Sequence, residues 1–139
     1  MYQIHCNDKT GPYPGIIELL RELKKHNIKM GIATNKVKSA ADKLNEIYFE
    51  GLIDEVAGVE DGIIPKPDRC MIDSLMRRLN TTTDETLYVG DSQVDVATAR
   101  NTGLDMVAVL WGFRTRKELE ESGAMVFIDD PMEILDKVL

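Results

Sequence analysis

The feature that most constrains the fold of this chain is a repeated order. A short apolar run is followed by a polar break, and then by a segment whose apolar residues return at i, i+3, i+4 and i+7. Pro14 and Gly15 open a one-faced helix carrying Ile16, Leu19, Leu20 and Leu23, ending about His26–Asn27. Ile28–Ala33 then reads as a mostly buried strand, and Thr34-Asn35 breaks it before a helix carrying Val37, Ala40, Ala41, Leu44 and Ile47. A strand over Leu52–Val59 leads through Glu60-Asp61-Gly62 into a loop, Ile63-Ile64-Pro65-Lys66-Pro67, that its prolines keep out of helix. Asp68 caps the next helix, whose face is Ile72, Leu75, Met76 and Leu79. The order repeats with a strand at Glu85–Val89, a helix from Val94 to Asn101 with Gly103 as its stop, and a strand at Met106–Leu110. Thr115 and Glu118 form a capping box for a helix ending at Ser122-Gly123; Met125–Ile128 is the last strand, and Asp130-Pro131 starts a helix through Val138. Strands alternating with helices predict a parallel sheet covered on both faces, because each crossover must bury its helix against the sheet. The expected class is a three-layer α/β domain.

Nothing divides the 139 residues into repeats or linkers, so they read as one unit. With 17 basic against 24 acidic side chains and a formal charge of −7, the chain lacks the basic footprint of a nucleic-acid binder. No apolar run reaches the ~18 residues of a membrane span, and MYQIHCND has no secretory pattern, so the expected location is the cytoplasm. Cys6, Cys70, His5 and His26 form no close-spaced group, which argues against a zinc site or a disulfide framework. His5 and His26 read as surface side chains, and Trp111 as core or crevice lining.

In a sheet of this kind, functional residues gather at the carboxyl ends of the strands. Three such places carry suitable chemistry. Thr34-Asn35-Lys36 sets a hydroxyl and main-chain amides at a strand-to-helix corner, which suits an anion; the plainer reading is a helix cap. Lys66 stands between two prolines, where a stiffened loop would fix its ammonium near phosphate or carboxylate charge; the plainer reading is a solvated surface lysine. Gly90-Asp91-Ser92-Gln93-Val94-Asp95 delivers two acids at the end of a buried strand, about one helical turn apart. Both can face one crevice and hold magnesium, or simply satisfy the helix N-terminus. G-x-G-x-x-G, G-x-x-x-x-G-K-[ST] and G-x-S-x-G are all absent, so dinucleotide, P-loop and serine-hydrolase readings lose their main support.

Read together and in order, PYPGIIELLRELKKHNIKMGIATNK, IPKPD, LYVGDSQVDVATARNTGL, VAVLWGF and ESGAMVFIDDPMEIL resemble the haloacid-dehalogenase-like phosphohydrolases, particularly their phosphoglycolate phosphatase branch. The resemblance runs from about Pro12 to the C-terminus and implies a Rossmann-like core acting on a small phosphorylated metabolite with Mg2+. By it, Thr34 would hold the transferring phosphoryl group with Asn35 beside it, and Lys66 would neutralise phosphate and nucleophile. Asp91 would bind magnesium, and Asp95 would support that shell. Arg69 stands where the family usually repeats proline in K-P-x-P.

The larger departure is an absence. Family members begin with a hydrophobic strand ending in D-x-D-G-T, whose first Asp attacks phosphorus, followed by a helical cap. No D-x-D occurs in this chain. The resemblance therefore implies a core (residues 13–139) that lacks its first strand and cap, preceded by a leader (residues 1–12). The missing strand would lie centrally, between the strands ending at Thr34 and Asp91, and its gap would leave unpaired edges inside a sheet. Three ways to fill it are open: Tyr2-Gln3-Ile4-His5-Cys6 recruited as a substitute strand with Asp8 near the crevice, pairing with a second copy, or a complementing chain. The expected function is a magnesium-dependent phosphomonoester hydrolase core with a phosphate and metal half-site, inactive alone. The competing readings are a non-catalytic module that assembles through sheet edges and, more distantly, a phosphorylation-dependent receiver, whose acid pair would be expected near the amino terminus.

Overall fold

In the computed structural model, the described residues are 2–4, 15–49, 51–110 and 115–138. They form one parallel six-stranded sheet in the order β3-β2-β1-β4-β5-β6, where β1 is Tyr2–Ile4, β2 Met30–Val37, β3 Glu55–Val59, β4 Leu87–Gly90, β5 Asp105–Val109 and β6 Phe127–Ile128. The helices are α1 (Ile16–Lys25), α2 (Lys38–Tyr48), α3 (Cys70–Leu79), α4 (Gln93–Thr102), α5 (Arg116–Ser122) and α6 (Glu133–Val138).

Strand periodicity sorts the core into two layers, because successive side chains leave a strand on opposite faces. Met30 and Ile32 of β2, Val56 of β3, Val89 of β4 and Val107 and Val109 of β5 pack with Ile16, Leu19, Leu20 and Leu23 of α1, Ala41 of α2 and Ile134 of α6. Their neighbours Ala33, Ala57 and Tyr88 face Met71, Ile72, Leu75, Met76 and Leu79 of α3 and Ala99 of α4. Ala108 meets Val96 of α4 and Leu119 of α5. The α/β class with helices on both faces is thus the one the alternation predicts. No helix among the described residues is long and apolar enough to cross a membrane.

The central place between β2 and β4 is taken by Tyr2–Ile4, the first of the three ways of filling it. Tyr2 and Gln3 pair with Met30 and Gly31 on one side, and Tyr2, Gln3 and Ile4 pair with Leu87, Tyr88 and Val89 on the other. Pro14, His5, Cys6 and Asp8 lie outside the described residues.

Other boundaries differ from expectation for local reasons. Leu52–Asp54 is not strand, because its polar groups are engaged by side chains and by β2. The Asn45 amide accepts from Ile53 N–H (3.3 Å) and donates to its carbonyl (3.1 Å), while Asp54 exchanges bonds with the main chain of Met30 (3.0 and 2.8 Å). The last strand shortens to Phe127–Ile128. The Thr115–Glu118 capping box and the left-handed stops at Gly103 and Gly123 form as expected. Arg69, with no side-chain cap bond, occupies the cap position of α3, while Asp68 Oδ1 accepts from Cys70 N–H at 2.8 Å.

Thr34 differs most. β2 does not break there but continues to Val37, with its pairing to β3 shifting register between Ala33 and Val37, and α2 starts only at Lys38. Thr34 is therefore a strand residue and caps no helix. The irregular end of β2 presses on β3 at Gly58, where a Cβ would lie 2.7 Å from Lys38 Cα and 2.9 Å from Lys36 O. Both are main-chain atoms and cannot swing aside. Gly58→Ala is expected to lower stability by about 1–3 kcal/mol, the usual cost of overpacking. A urea midpoint equal to the parent's would show that the two strands have slack there.

Candidate functional site

The sequence places Asp91 and Asp95 at the carboxyl end of β4 and Thr34 near that of β2, on either side of β1. Two strand spacings separate β2 from β4, about 9.5 Å. Lys66 spans that interval. It is buried at 5% exposure, so the reading of a solvated loop lysine fails. Its main chain is tied to β2: Asn35 Oδ1 accepts from Lys66 N–H (2.8 Å), and Asn35 Nδ2 donates to the Lys66 carbonyl (3.1 Å). Its ammonium is tied to the β4–α4 corner, donating to Asp95 Oδ1 (2.9 Å) and Tyr88 Oη (3.3 Å). The Lys66–Pro67 peptide is cis.

Asp95 is fully buried. An ionised carboxylate in such a place must be compensated by donors on its oxygens. Besides the Lys66 ammonium, Tyr88 Oη donates to Oδ1 at 2.7 Å, while Ser92 Oγ and Asp91 N–H each donate to Oδ2 at 3.0 Å. Ser92, not Asp91, caps α4, accepting from Asp95 N–H at 3.3 Å. Gly90 makes room for this arrangement: a Cβ there would lie 2.4 Å from Asp95 Cβ and 2.7 Å from its Cγ.

The remaining expected residues fall as follows. Thr34 is buried, and its Oγ1 accepts from Lys36 N–H (3.3 Å), which leaves the hydroxyl proton to donate. Asp91 is half-buried at the end of β4, its main chain bound to Asp95. His26 is exposed, and Trp111 lies outside the described residues. The Cys70 thiol is free of disulfides and accepts from Ile64 N–H at 3.5 Å.

Tyr88 is the site residue that sequence reasoning missed, because a tyrosine inside an apolar strand run reads as core. It is core on its ring and polar at its tip. The available signal is the spacing Tyr88 to Asp95, which carries the chain across one strand end and one helical turn. Burial, followed by the charge of Asp95 and the bond to it, pushes the phenol well above its ordinary value of 10.0.

A hard divalent cation suits the donor chemistry here. Among the described residues no three His, Cys, Asp or Glu side chains gather as a metal cluster. Magnesium, however, commonly takes one or two protein carboxylates and completes its shell with water and phosphate oxygens. Asp91 at the strand end carries a carboxylate that could take that place. Asp95, with both oxygens engaged by protein donors, holds the segment that presents it.

Known proteins share sequence and fold with this chain. The haloacid dehalogenase-like hydrolase family profile matches residues 1–109. The chain is 36% identical over 121 residues to a phosphoglycolate phosphatase of Rhodospirillum rubrum, covering 85% of this chain and 49% of that protein. It is 33% identical over 133 residues to a phosphoglycolate phosphatase of Mesorhizobium japonicum, covering 92% and 58%. A solved structure from Lactobacillus delbrueckii subsp. bulgaricus, provisionally assigned as a phosphoglycolate phosphatase, superposes with a TM-score of 0.90 at 36% identity, covering 96% of this chain and 56% of that one. The chain spans about half the length of the curated relatives it matches.

Ionisation of Tyr88 links the site to stability. Because its folded pKa is raised, its contribution is fully present below about pH 10 and is lost as pH rises through the folded value. Tyr88→Phe is expected to be less stable at pH 7 by about 1.5–3 kcal/mol, the range for a hydrogen bond to a charged group. Urea unfolding should show the parent losing stability more steeply than the variant above about pH 10. Parallel curves would show that Tyr88 does not titrate with unfolding.

Proposed function

Because the chain belongs to the haloacid dehalogenase-like hydrolase family, we propose that it carries the phosphate- and magnesium-binding side of a phosphomonoester hydrolase site of the phosphoglycolate phosphatase type. The observation supporting this most is the buried lysine fixed across the interval between the two strand ends that bear Thr34 and Asp91. A tethered cation beside a hydroxyl donor suits a phosphoryl group, whose charge is spread over its outer oxygens.

In this reading Thr34 donates its hydroxyl proton to one phosphoryl oxygen. Lys66 places positive charge against the same group without having to be ordered at the moment of binding. Asp91 would hold magnesium, with Asp95 fixing the Asp91 main chain. When bound, the cation supplies charge neutralisation at the phosphoryl oxygens. The substrate class is a small phosphorylated metabolite; phosphoglycolate follows from the names of the relatives. A family enzyme would also need an attacking carboxylate, and no D-x-D occurs in these 139 residues. The chain alone therefore binds phosphate without turning over a phosphomonoester.

Isothermal titration with inorganic phosphate tests this. Affinity should rise with magnesium present, lose that dependence in Asp91→Asn, and fall about tenfold or more in Lys66→Met, as for a lost charge-assisted bond. The same preparation should not hydrolyse p-nitrophenyl phosphate. Phosphate binding indifferent to Asp91 and Lys66, or robust turnover abolished by Asp91→Ala, would overturn the reading.

A further inference from the structure

Lys66 is held at both ends, its ammonium by Asp95 and Tyr88 and its main chain by Asn35. We propose that Asn35 is a positioning residue for Lys66: its side-chain amide sets where the lysine main chain stands relative to β2, and so where the ammonium enters the crevice. The function of that crevice rests on the reading above, whereas the clamp itself does not.

The argument begins with the loop sequence. Pro65 and Pro67 have no main-chain N–H, so over Pro65–Pro67 the only main-chain donor is that of Lys66. Asn35 takes it, with Oδ1 accepting at 2.8 Å, and closes the pair by donating Nδ2 to the Lys66 carbonyl at 3.1 Å. One planar amide thus binds both main-chain polar groups of a single residue, as a neighbouring strand would. The next carbonyl, that of Pro67, accepts from Asn101 Nδ2 of α4 at 2.7 Å. A second asparagine uses the reciprocal device far from the crevice, where Asn45 binds the N–H and carbonyl of Ile53 and fixes a segment that is neither helix nor strand. At Lys66 the same device determines a charged side chain's origin.

Asn35 directly follows Thr34, so the clamp ties the lysine to the residue whose hydroxyl shares its target. Asn35 is also solvent-exposed, and a direct bond from its amide to an anion is the competing assignment. The two assignments differ in how Asn35 and Lys66 combine. A residue acting only through Lys66 has no effect once the lysine's charge is gone, whereas a direct ligand contributes in both backgrounds.

Two measurements decide the matter. In the absence of any ligand, hydrogen exchange followed by NMR should show the Lys66 amide of Asn35→Ala exchanging about five- to tenfold faster than in the parent, with β4 and β5 amides unchanged; that factor corresponds to one net hydrogen bond. An unchanged Lys66 amide overturns the proposal. In titrations of inorganic phosphate with magnesium, Asn35→Ala should weaken binding about five- to tenfold in the parent and less than about twofold in a Lys66→Met/Asp95→Asn background, in which no buried charge is left unpaired. Equal losses in both backgrounds overturn it and make Asn35 a direct ligand. If the parent binds no phosphate, the functional reading falls, and the exchange measurement still decides the clamp.

Discussion

The arrangement of this end of the molecule depends on the buried pair between Lys66 and Asp95, 2.9 Å apart and almost without solvent contact on either side chain. Such a pair is not a free source of stability, since removing both charges from water costs several kcal/mol per ion and the mutual attraction only offsets that when every remaining lone pair finds a donor. The surrounding chain meets that condition in detail. Tyr88 comes from β4, Ser92 and the Asp91 N–H come from the turn before α4, and Gly90 is bare so that the carboxylate can sit against the strand end. The position of Lys66 is thereby dictated from one side by β4 and α4, and from the other by Asn35 on β2.

That demand reaches into the core. Tyr88 alternates with Val89, so its ring packs against the α3 layer while its hydroxyl serves Asp95. α4 is built for the same purpose. Besides Val96 and Ala99 it buries Asp95, Thr98 and Thr102, and the two threonines satisfy their hydroxyls by donating to the carbonyls of Val94 and Thr98, one turn back. An element that buries so much polarity has little apolar face to show in its sequence.

This explains which parts of the molecule could be read in advance. α1 and α3 follow from the spacing of Leu, Ile and Met, and the strands from apolar runs, because burial of those side chains is the driving force that makes the elements. Thr34 and Asn35 were legible as residues near the carboxyl end of a strand but not in their local structure. A Thr-Asn pair looks like the start of a helix, and here tertiary pairing with β3 carries β2 past it. The clamp between Asn35 and Lys66 joins residues 31 positions apart, which local propensity does not register. Asp95 was legible as an acid at the right corner. Its engagement on both oxygens became visible only once the fold brought Lys66 and Tyr88 to it. The central strand was expected as a gap, with Tyr2–Cys6 among three ways of filling it; Tyr2–Ile4 does so because both neighbours offer it unpaired main-chain groups.

Fixing a lysine in this way changes what it contributes. A surface lysine that closes on an anion loses up to about 2 kcal/mol of rotamer entropy and must shed water from its ammonium at that moment. For Lys66 both costs fall within folding, where the hydrophobic core on the two faces of the sheet and the donors around Asp95 offset them. In the proposed site that charge would meet an incoming phosphoryl group already oriented. The device is sensitive to its neighbours, since the ammonium has no spare freedom with which to correct a displaced main chain. A loop shift that a solvated lysine would absorb by changing rotamer would, at Lys66, break either the bond to Asp95 or the bonds to Asn35.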